Sequence, residues 1–134
     1  MKNRCVHRRE TPQRKAILSY LKSVKTHPNA EEVFRAVAGQ YPNLTLATVY
    51  RNLNLMADQG RVLRFEINKE FRFDAYIKNH QHGICNCCNK VFDFFNEKIS
   101  KYAFRKFECN EFKPNKVDIF YYGTCKKCES KKLR

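Results

Sequence analysis

Apolar residues recur at helical spacing through the first part of the chain and then give way to the alternation of strands. Thr11-Pro12-Gln13-Arg14 reads as a helix start, with Thr as N-cap and Pro at the first helical position, and Ala16, Ile17, Leu18, Tyr20, Leu21 and Val24 follow at core spacing. This pattern predicts a helix from Pro12 to about Ser23. A second helix starts after His27-Pro28-Asn29. Asn29 caps it, Glu31 and Glu32 sit where the helix dipole favours carboxylates, and Val33, Phe34, Val37 and Ala38 form the buried stripe until Pro42 ends it. A third runs from Thr45 to about Gln59. At about 100° per residue, Leu46, Val49, Tyr50, Leu53, Met56 and Ala57 share one arc, while Ala47, Thr48, Arg51, Asn54 and Asp58 occupy the opposite face. Gly60 supplies a stop, and residues 61–66 and 71–73 read as two short strands around Asn68-Lys69. Three helices and a hairpin in this order predict a winged helix whose third helix lies in a DNA major groove. Thr48 and Arg51 are then candidate DNA contacts.

After Asp74 the pattern predicts strands at 80–85, 90–94 and 117–122, with a helix near 97–107 between the last two. The expected class is α+β: a winged-helix domain over residues 1–74, a hinge at 75–79 and a second, α/β domain over 80–134. No internal repeat or low-complexity tract interrupts this plan.

Charge narrows the range of partners. The 134 residues are 43% hydrophobic, enough for a packed core, yet 27 Lys and Arg face 13 Asp and Glu for a net charge of +14. Such an excess suits a polyanion better than a neutral substrate, and nucleic acid leads the candidates. The densest basic stretch is Met1 to Lys25, opposed only by Glu10. The opening MKNRCVHRRETPQR lacks the apolar core of a secretory signal, and no window reaches membrane-span length, so a cytoplasmic protein without a membrane partner is expected. Thiols stay reduced there, and paired cysteines more often hold metal than form disulfides.

Cys85-x-x-Cys88 and Cys125-x-x-Cys128 form two thiolate pairs at the spacing of a closed tetrahedral zinc site. A thioredoxin-like redox pair needs no second pair. Cys87 makes the register of the first motif ambiguous, and the two-residue gap favours Cys85 with Cys88; Cys5, Cys87 and Cys109 have no partner spacing. His80 and His82 share one face of a strand and can reach one ion, whereas Cys85 has the opposite parity, which argues for two separate metal sites. A pair of exposed histidines is the plain alternative. Asp74 and Asp93 sit in apolar runs where a carboxylate needs a cation or a solvent-facing position. His27 is either a further ligand or a polar helix-entry residue.

Taken together, these residues resemble the ferric uptake regulator family, in particular its peroxide-sensing repressor branch. The likeness spans Thr11 to Cys128 and rests on ThrProGlnArg at 11–14, HisProAsnAlaGluGlu at 27–32, AlaThrValTyrArgAsnLeu at 47–53, ArgPheAsp at 72–74, HisGlnHis at 80–82 and the two Cys pairs. It implies a homodimer that grips a palindromic double-stranded DNA operator when metal is bound, with a C-terminal dimerisation domain. It also implies structural Zn²⁺ on Cys85, Cys88, Cys125 and Cys128, and a regulatory Fe²⁺ or Mn²⁺ on His27, Asp74, His80, His82 and Asp93. Tyr50 joins Thr48 and Arg51 as a DNA contact by the same resemblance. Asp at 93, where iron-uptake regulators more often carry Glu, points to the peroxide branch, in which oxidant made at the iron attacks His27 or His80. Three features depart from the family pattern: Asn89 stands where Gly is usual after the second Cys, the N-terminal arm is short, and the charge is unusually high.

Two other readings share part of this pattern. An iron-, manganese- or zinc-responsive uptake regulator would use the same ligands. A zinc-ribbon RNA-binding protein shares the basicity and the Cys pairs but has no need of HisxHis, two Asp and a recognition helix. A metalloenzyme needs an open coordination position and a second catalytic group, and no such group stands out in the sequence, so a non-enzymatic role is expected.

Overall fold

The computed structural model describes residues 10–78 and 80–132. Cys5, the N-terminal arm and Asn79, the last residue of the expected hinge, lie outside the described residues. The chain separates into two compact units, Met1–Ile77 and Lys78–Arg134.

The first unit is a winged helix, and each of its helices starts on a side-chain cap. Helix α1 spans Pro12–Ser23, α2 Ala30–Val37 and α3 Leu46–Asp58. The Thr11 hydroxyl accepts the Arg14 N–H at 3.2 Å, Asn29 accepts that of Glu32 at 2.8 Å, and Thr45 accepts that of Thr48 at 3.2 Å. These oxygens satisfy donors that the first helical turn leaves without partners. A 3₁₀ turn at Ala38–Gln40 follows α2. The core closes around Ile17, Leu21, Val33, Val49, Leu53 and Met56, with Leu18, Phe34 and Leu46 packed against it. Helix α3 ends where the sequence placed its stop. Gly60 has φ 73°, its N–H bonds Ala57 O at 3.0 Å and the Arg61 N–H bonds Met56 O at 2.9 Å, a Schellman closure.

Strands β1 (Leu63–Ile67) and β2 (Glu70–Asp74) form the antiparallel wing. Asn68 and Lys69 both take positive φ, 51° and 64°, as a two-residue type I′ turn requires. Phe73 of β2 is fully buried against the helices.

The second unit is a three-stranded sheet of β3 (Gln81–Cys85), β4 (Val91–Phe94) and β5 (Ile119–Gly123), in the order β4-β3-β5. Strand β3 pairs antiparallel with β4 and parallel with β5, and α4 (Glu97–Arg105) lies in the β4–β5 crossover. Gln81 pins the central strand to the start of α4. Its amide NH₂ donates to Asn96 O at 3.0 Å and to Ser100 Oγ at 2.7 Å, and its carbonyl accepts the Asn96 N–H at 3.0 Å. Helix α5 (Lys126–Lys132) ends the described chain. Among the described residues of this unit, only Ile84 and Cys85 are buried hydrophobics, while Phe94, Phe95, Tyr121 and Tyr122 stay exposed. No helix among the described residues is long and apolar enough to cross a membrane.

Candidate metal centres and nucleic-acid interface

The tight loop after β3 brings the first cysteine pair into position. The Cys85 N–H bonds Lys90 O at 3.0 Å, and the Asn89 N–H bonds Cys85 O at 2.9 Å. Asn89 has φ 61°, so the residue that replaces the expected Gly adopts the left-handed conformation the knuckle needs. The second pair sits at the start of α5, with Cys125 just before the helix and Cys128 in its first turn. All four sulfurs lie within 4.8 Å of one another, and Cys88 Sγ is 3.8 Å from Cys125 Sγ. A zinc tetrahedron with Zn–S bonds of about 2.3 Å has edges of about 3.8 Å, whereas a disulfide needs about 2.05 Å. The donor set therefore fits Zn²⁺, and Cys87 is exposed outside it.

Electrostatics prepares the same group for a cation. The backbone N–H of Cys125, donating to Cys85 Sγ at 3.3 Å, and those of Cys88 and Cys87 pull the Cys85 thiol down to about 5. The Cys125 thiol is lowered too, chiefly by the backbone N–H of Cys128. Cys128 is pushed up to about 12, first by the facing Cys125 sulfur and then by burial. Adjacent sulfurs cannot all hold negative charge without help, and a divalent cation supplies it.

Each unit also presents its own nitrogen and oxygen donors. In the first unit His27 Nε2 lies 3.3 Å from Asp74 Oδ2, and the other Asp74 oxygen accepts the Tyr76 N–H at 2.8 Å. The His27 ring is buried and packs at a tilt on Phe65. In the second unit the β3–β4 register sets His82 opposite Asp93, and His80, just ahead of β3, turns its ring to the same carboxylate. Asp93 Oδ1 is 3.4 Å from His80 Nε2 and 3.3 Å from His82 Nε2. Ring stacking fixes both imidazoles, His80 on Phe95 and His82 on Phe120, each at 5.2 Å. His80 Nδ1 lies 2.7 Å from Lys78 O, a carbonyl that can only accept, so that nitrogen carries a proton and Nε2 is the ring atom left for a metal.

The outer face of α3 carries Arg51 and Tyr50, with Tyr50 39% exposed, while Thr48 is half-buried with its hydroxyl 3.0 Å from that of Thr45. Arg64 of the wing reaches back to α3, donating to Asn54 Oδ1 at 2.9 Å while its guanidinium lies over the Phe71 ring. Sequence reasoning missed a polar pair behind this face. Arg14 of α1 donates through Nε and Nη2 to Asn52 Oδ1 of α3, both at 3.2 Å, and both side chains are buried. The available signal was Asn52 itself, which sits at core spacing between Val49 and Met56.

The model of the ferric uptake regulator family matches residues 6–122. The chain is 37% identical over 124 residues to the peroxide-responsive repressor PerR of Staphylococcus aureus, covering 92% of this chain and 84% of that one. Among solved structures it is similar to the Campylobacter jejuni peroxide stress regulator, with a TM-score of 0.73 and 31% identity over 87% of this chain and 89% of that one. It is also similar to the Helicobacter pylori ferric uptake regulator Fur, with a TM-score of 0.76 and 25% identity over 90% and 82%. With a family match across most of its length and an N-terminal winged helix ahead of a C-terminal sheet unit, the chain belongs to the ferric uptake regulator family.

Proposed function

We propose that this chain is a metal-dependent transcriptional repressor that binds a palindromic double-stranded DNA operator as a homodimer and senses peroxide through iron-catalysed oxidation of a ligand histidine. The observation that carries this reading is the short carboxylate of Asp93 facing two imidazoles, each stacked on a phenylalanine ring, 3.4 Å from His80 and 3.3 Å from His82. The proposed regulatory ligands are these three with His27 and Asp74, a nitrogen and oxygen set suited to Fe²⁺ or Mn²⁺, while Cys85, Cys88, Cys125 and Cys128 hold structural Zn²⁺. Residues 75–79 form the hinge in this reading. Fe²⁺ held there would supply the electron that splits H₂O₂ into hydroxide and hydroxyl radical, which Mn²⁺ would not. The radical would add to a ring carbon, and loss of a proton with return of one electron to the ferric ion would complete the oxidation. His27 and His80 are buried, and an oxygen added to either ring removes a nitrogen donor from the set. Loss of that donor weakens metal binding and with it the DNA-competent state.

Thr48, Tyr50 and Arg51 on α3 are the proposed DNA contacts, served by a net charge of +14. The second unit buries few hydrophobic side chains of its own and exposes aromatic ones, which supports pairing with a second copy. The proposal is of a cytoplasmic regulator, not an enzyme. Likeness to the H. pylori regulator favours a second reading, a metal-uptake regulator with the same ligands.

One experiment separates the two. A duplex selected from random DNA by the Mn²⁺ form is bound by the Fe²⁺ and Mn²⁺ forms before and after brief H₂O₂ treatment. Release of the Fe²⁺ form alone is the expected result. Retention of both forms favours the uptake regulator, and equally tight binding by metal-free protein, run as a third sample, contradicts a metal-dependent repressor.

A further inference from the structure

Four residues other than glycine take positive φ among the described residues, and three have a local reason. Asn68 and Lys69 form the hairpin turn, and Asn89 closes the cysteine knuckle. His27 does not share that excuse. It has φ 53°, a conformation disfavoured for residues with a Cβ, and it precedes Pro28, which narrows its choices further.

Strand β2 holds this corner at successive points. Arg72 Nη1 donates to the His27 carbonyl at 3.2 Å, the Phe73 N–H donates to the Pro28 carbonyl at 3.1 Å, and Asp74 Oδ2 meets the His27 imidazole at 3.3 Å. Glu70, Arg72 and Asp74 share one face of the strand, so a single row of side chains serves the corner. Two carboxylates lie near Arg72 at ion-pair distance, while its buried Nε makes no hydrogen bond. Its Nε lies 3.5 Å from Glu70 Oε2 and its Nη1 lies 3.9 Å from Glu32 Oε1, and the second Glu70 oxygen accepts from Asn29, the cap of α2. A planar guanidinium can meet a carbonyl and two carboxylates at once, which an ammonium cannot reproduce.

We propose that Arg72 is a positioning residue for the regulatory metal, holding His27 in its left-handed conformation so that the imidazole is presented beside Asp74 before any ion arrives. The proposal rests on the reading of His27 as a ligand. Without the Arg72 contact, His27 relaxes toward extended conformations, the competent arrangement is only partly populated, and apparent affinity falls by that fraction. Loss of such an outer contact weakens metal binding about 10–100-fold.

The test is a Mn²⁺ titration of zinc-loaded protein, with free Mn²⁺ read by electron paramagnetic resonance, on the parent chain, Arg72→Gln, Arg72→Lys, His27→Ala and the double variant Arg72→Gln with His27→Ala. Zinc content and circular dichroism check that each variant is folded, and Arg72→Lys keeps the test available if Arg72→Gln is not. The expected result is weaker Mn²⁺ binding in Arg72→Gln, partial recovery in Arg72→Lys, and no further loss from Arg72→Gln once His27 is Ala, because the two act through one ligand. Parent-like affinity in Arg72→Gln beside weakened binding in His27→Ala overturns the positioning role and leaves the ligand reading intact. An equal loss from Arg72→Gln in the His27→Ala background overturns it as well, since Arg72 then acts elsewhere. Parent-like affinity in His27→Ala overturns both.

Discussion

Asp93 stands directly across the β3–β4 ladder from His82, with its Oδ1 3.3 Å from the imidazole Nε2. This cross-strand relationship fixes how far the carboxylate reaches. Asp93→Glu lengthens that reach while keeping charge and donor type. Metal-dependent DNA binding is expected to persist, and peroxide-driven release to slow on the order of 10-fold or more, because small displacements at a reacting centre carry large rate penalties. Release rates of the Fe²⁺ form under fixed H₂O₂ check this, and a parent-like rate would show that carboxylate reach does not govern the reaction.

The four cysteines join the knuckle after β3 to the start of α5. Cys125→Ser removes one of the four clustered sulfurs while leaving the backbone N–H that donates to Cys85 Sγ in place. Zinc content, melting temperature and dimer fraction are expected to fall together, since structural zinc contributes about 10 kcal/mol or more to small metal-dependent folds. Sedimentation and metal analysis provide the readout. A well-folded dimer without zinc would contradict a structural role for the site.

Arg14 and Asn52 couple α1 to α3 inside the first unit. Asn52→Ala removes the oxygen that accepts two guanidinium N–H groups in a buried setting. A loss of about 1.5–3 kcal/mol in urea-unfolding stability is expected, the range for hydrogen bonds to charged groups. A change within experimental error would show that the pair is dispensable for the fold.

Arg51 projects from the exposed face of α3. If it reads a guanine with two hydrogen bonds, Arg51→Ala costs about 1–3 kcal/mol on the selected duplex and much less on random DNA. Equal losses on both would assign Arg51 to the phosphate backbone. Tyr50→Phe is expected to keep the fold, so any change in its DNA affinity reports on the hydroxyl.

The helices were legible in the sequence because their signals are local. Thr11, Asn29 and Thr45 cap the helices they precede, and Gly60 closes α3 as its position implied. The cysteine spacing was legible for the same reason. What escaped depended on pairings distant in sequence. Strand parity put His80 and His82 on one face, and only the family resemblance joined Asp93 to them, because the β3–β4 register that sets it opposite His82 has no local signal. Arg72 and His27 lie 45 positions apart, and Arg14 and Asn52 lie 38 apart, so no local pattern joins them. Helix α5 also went unread, although Cys125 and Cys128 have the three-residue spacing that a helical turn places on one side. The predicted strand at 117–122 forms two residues later, at Ile119–Gly123, where pairing with β3 sets the boundary.

Peptide mass spectrometry of the Fe²⁺-loaded and Mn²⁺-loaded proteins after brief H₂O₂ exposure tests peroxide sensing most directly. Oxidant formed at an iron held by these ligands would react with the nearest of them before diffusing away, so damage should be local. The expected result is one added oxygen on His27 or His80 in the Fe²⁺ form, none in the Mn²⁺ form, and intact Cys85, Cys88, Cys125 and Cys128 in both. The competing chemistry is thiol oxidation at exposed Cys87 or Cys109, or at Cys5 of the N-terminal arm. Equal histidine oxidation in the two metal forms, or DNA release that follows cysteine oxidation alone, would contradict peroxide sensing through a ligand histidine.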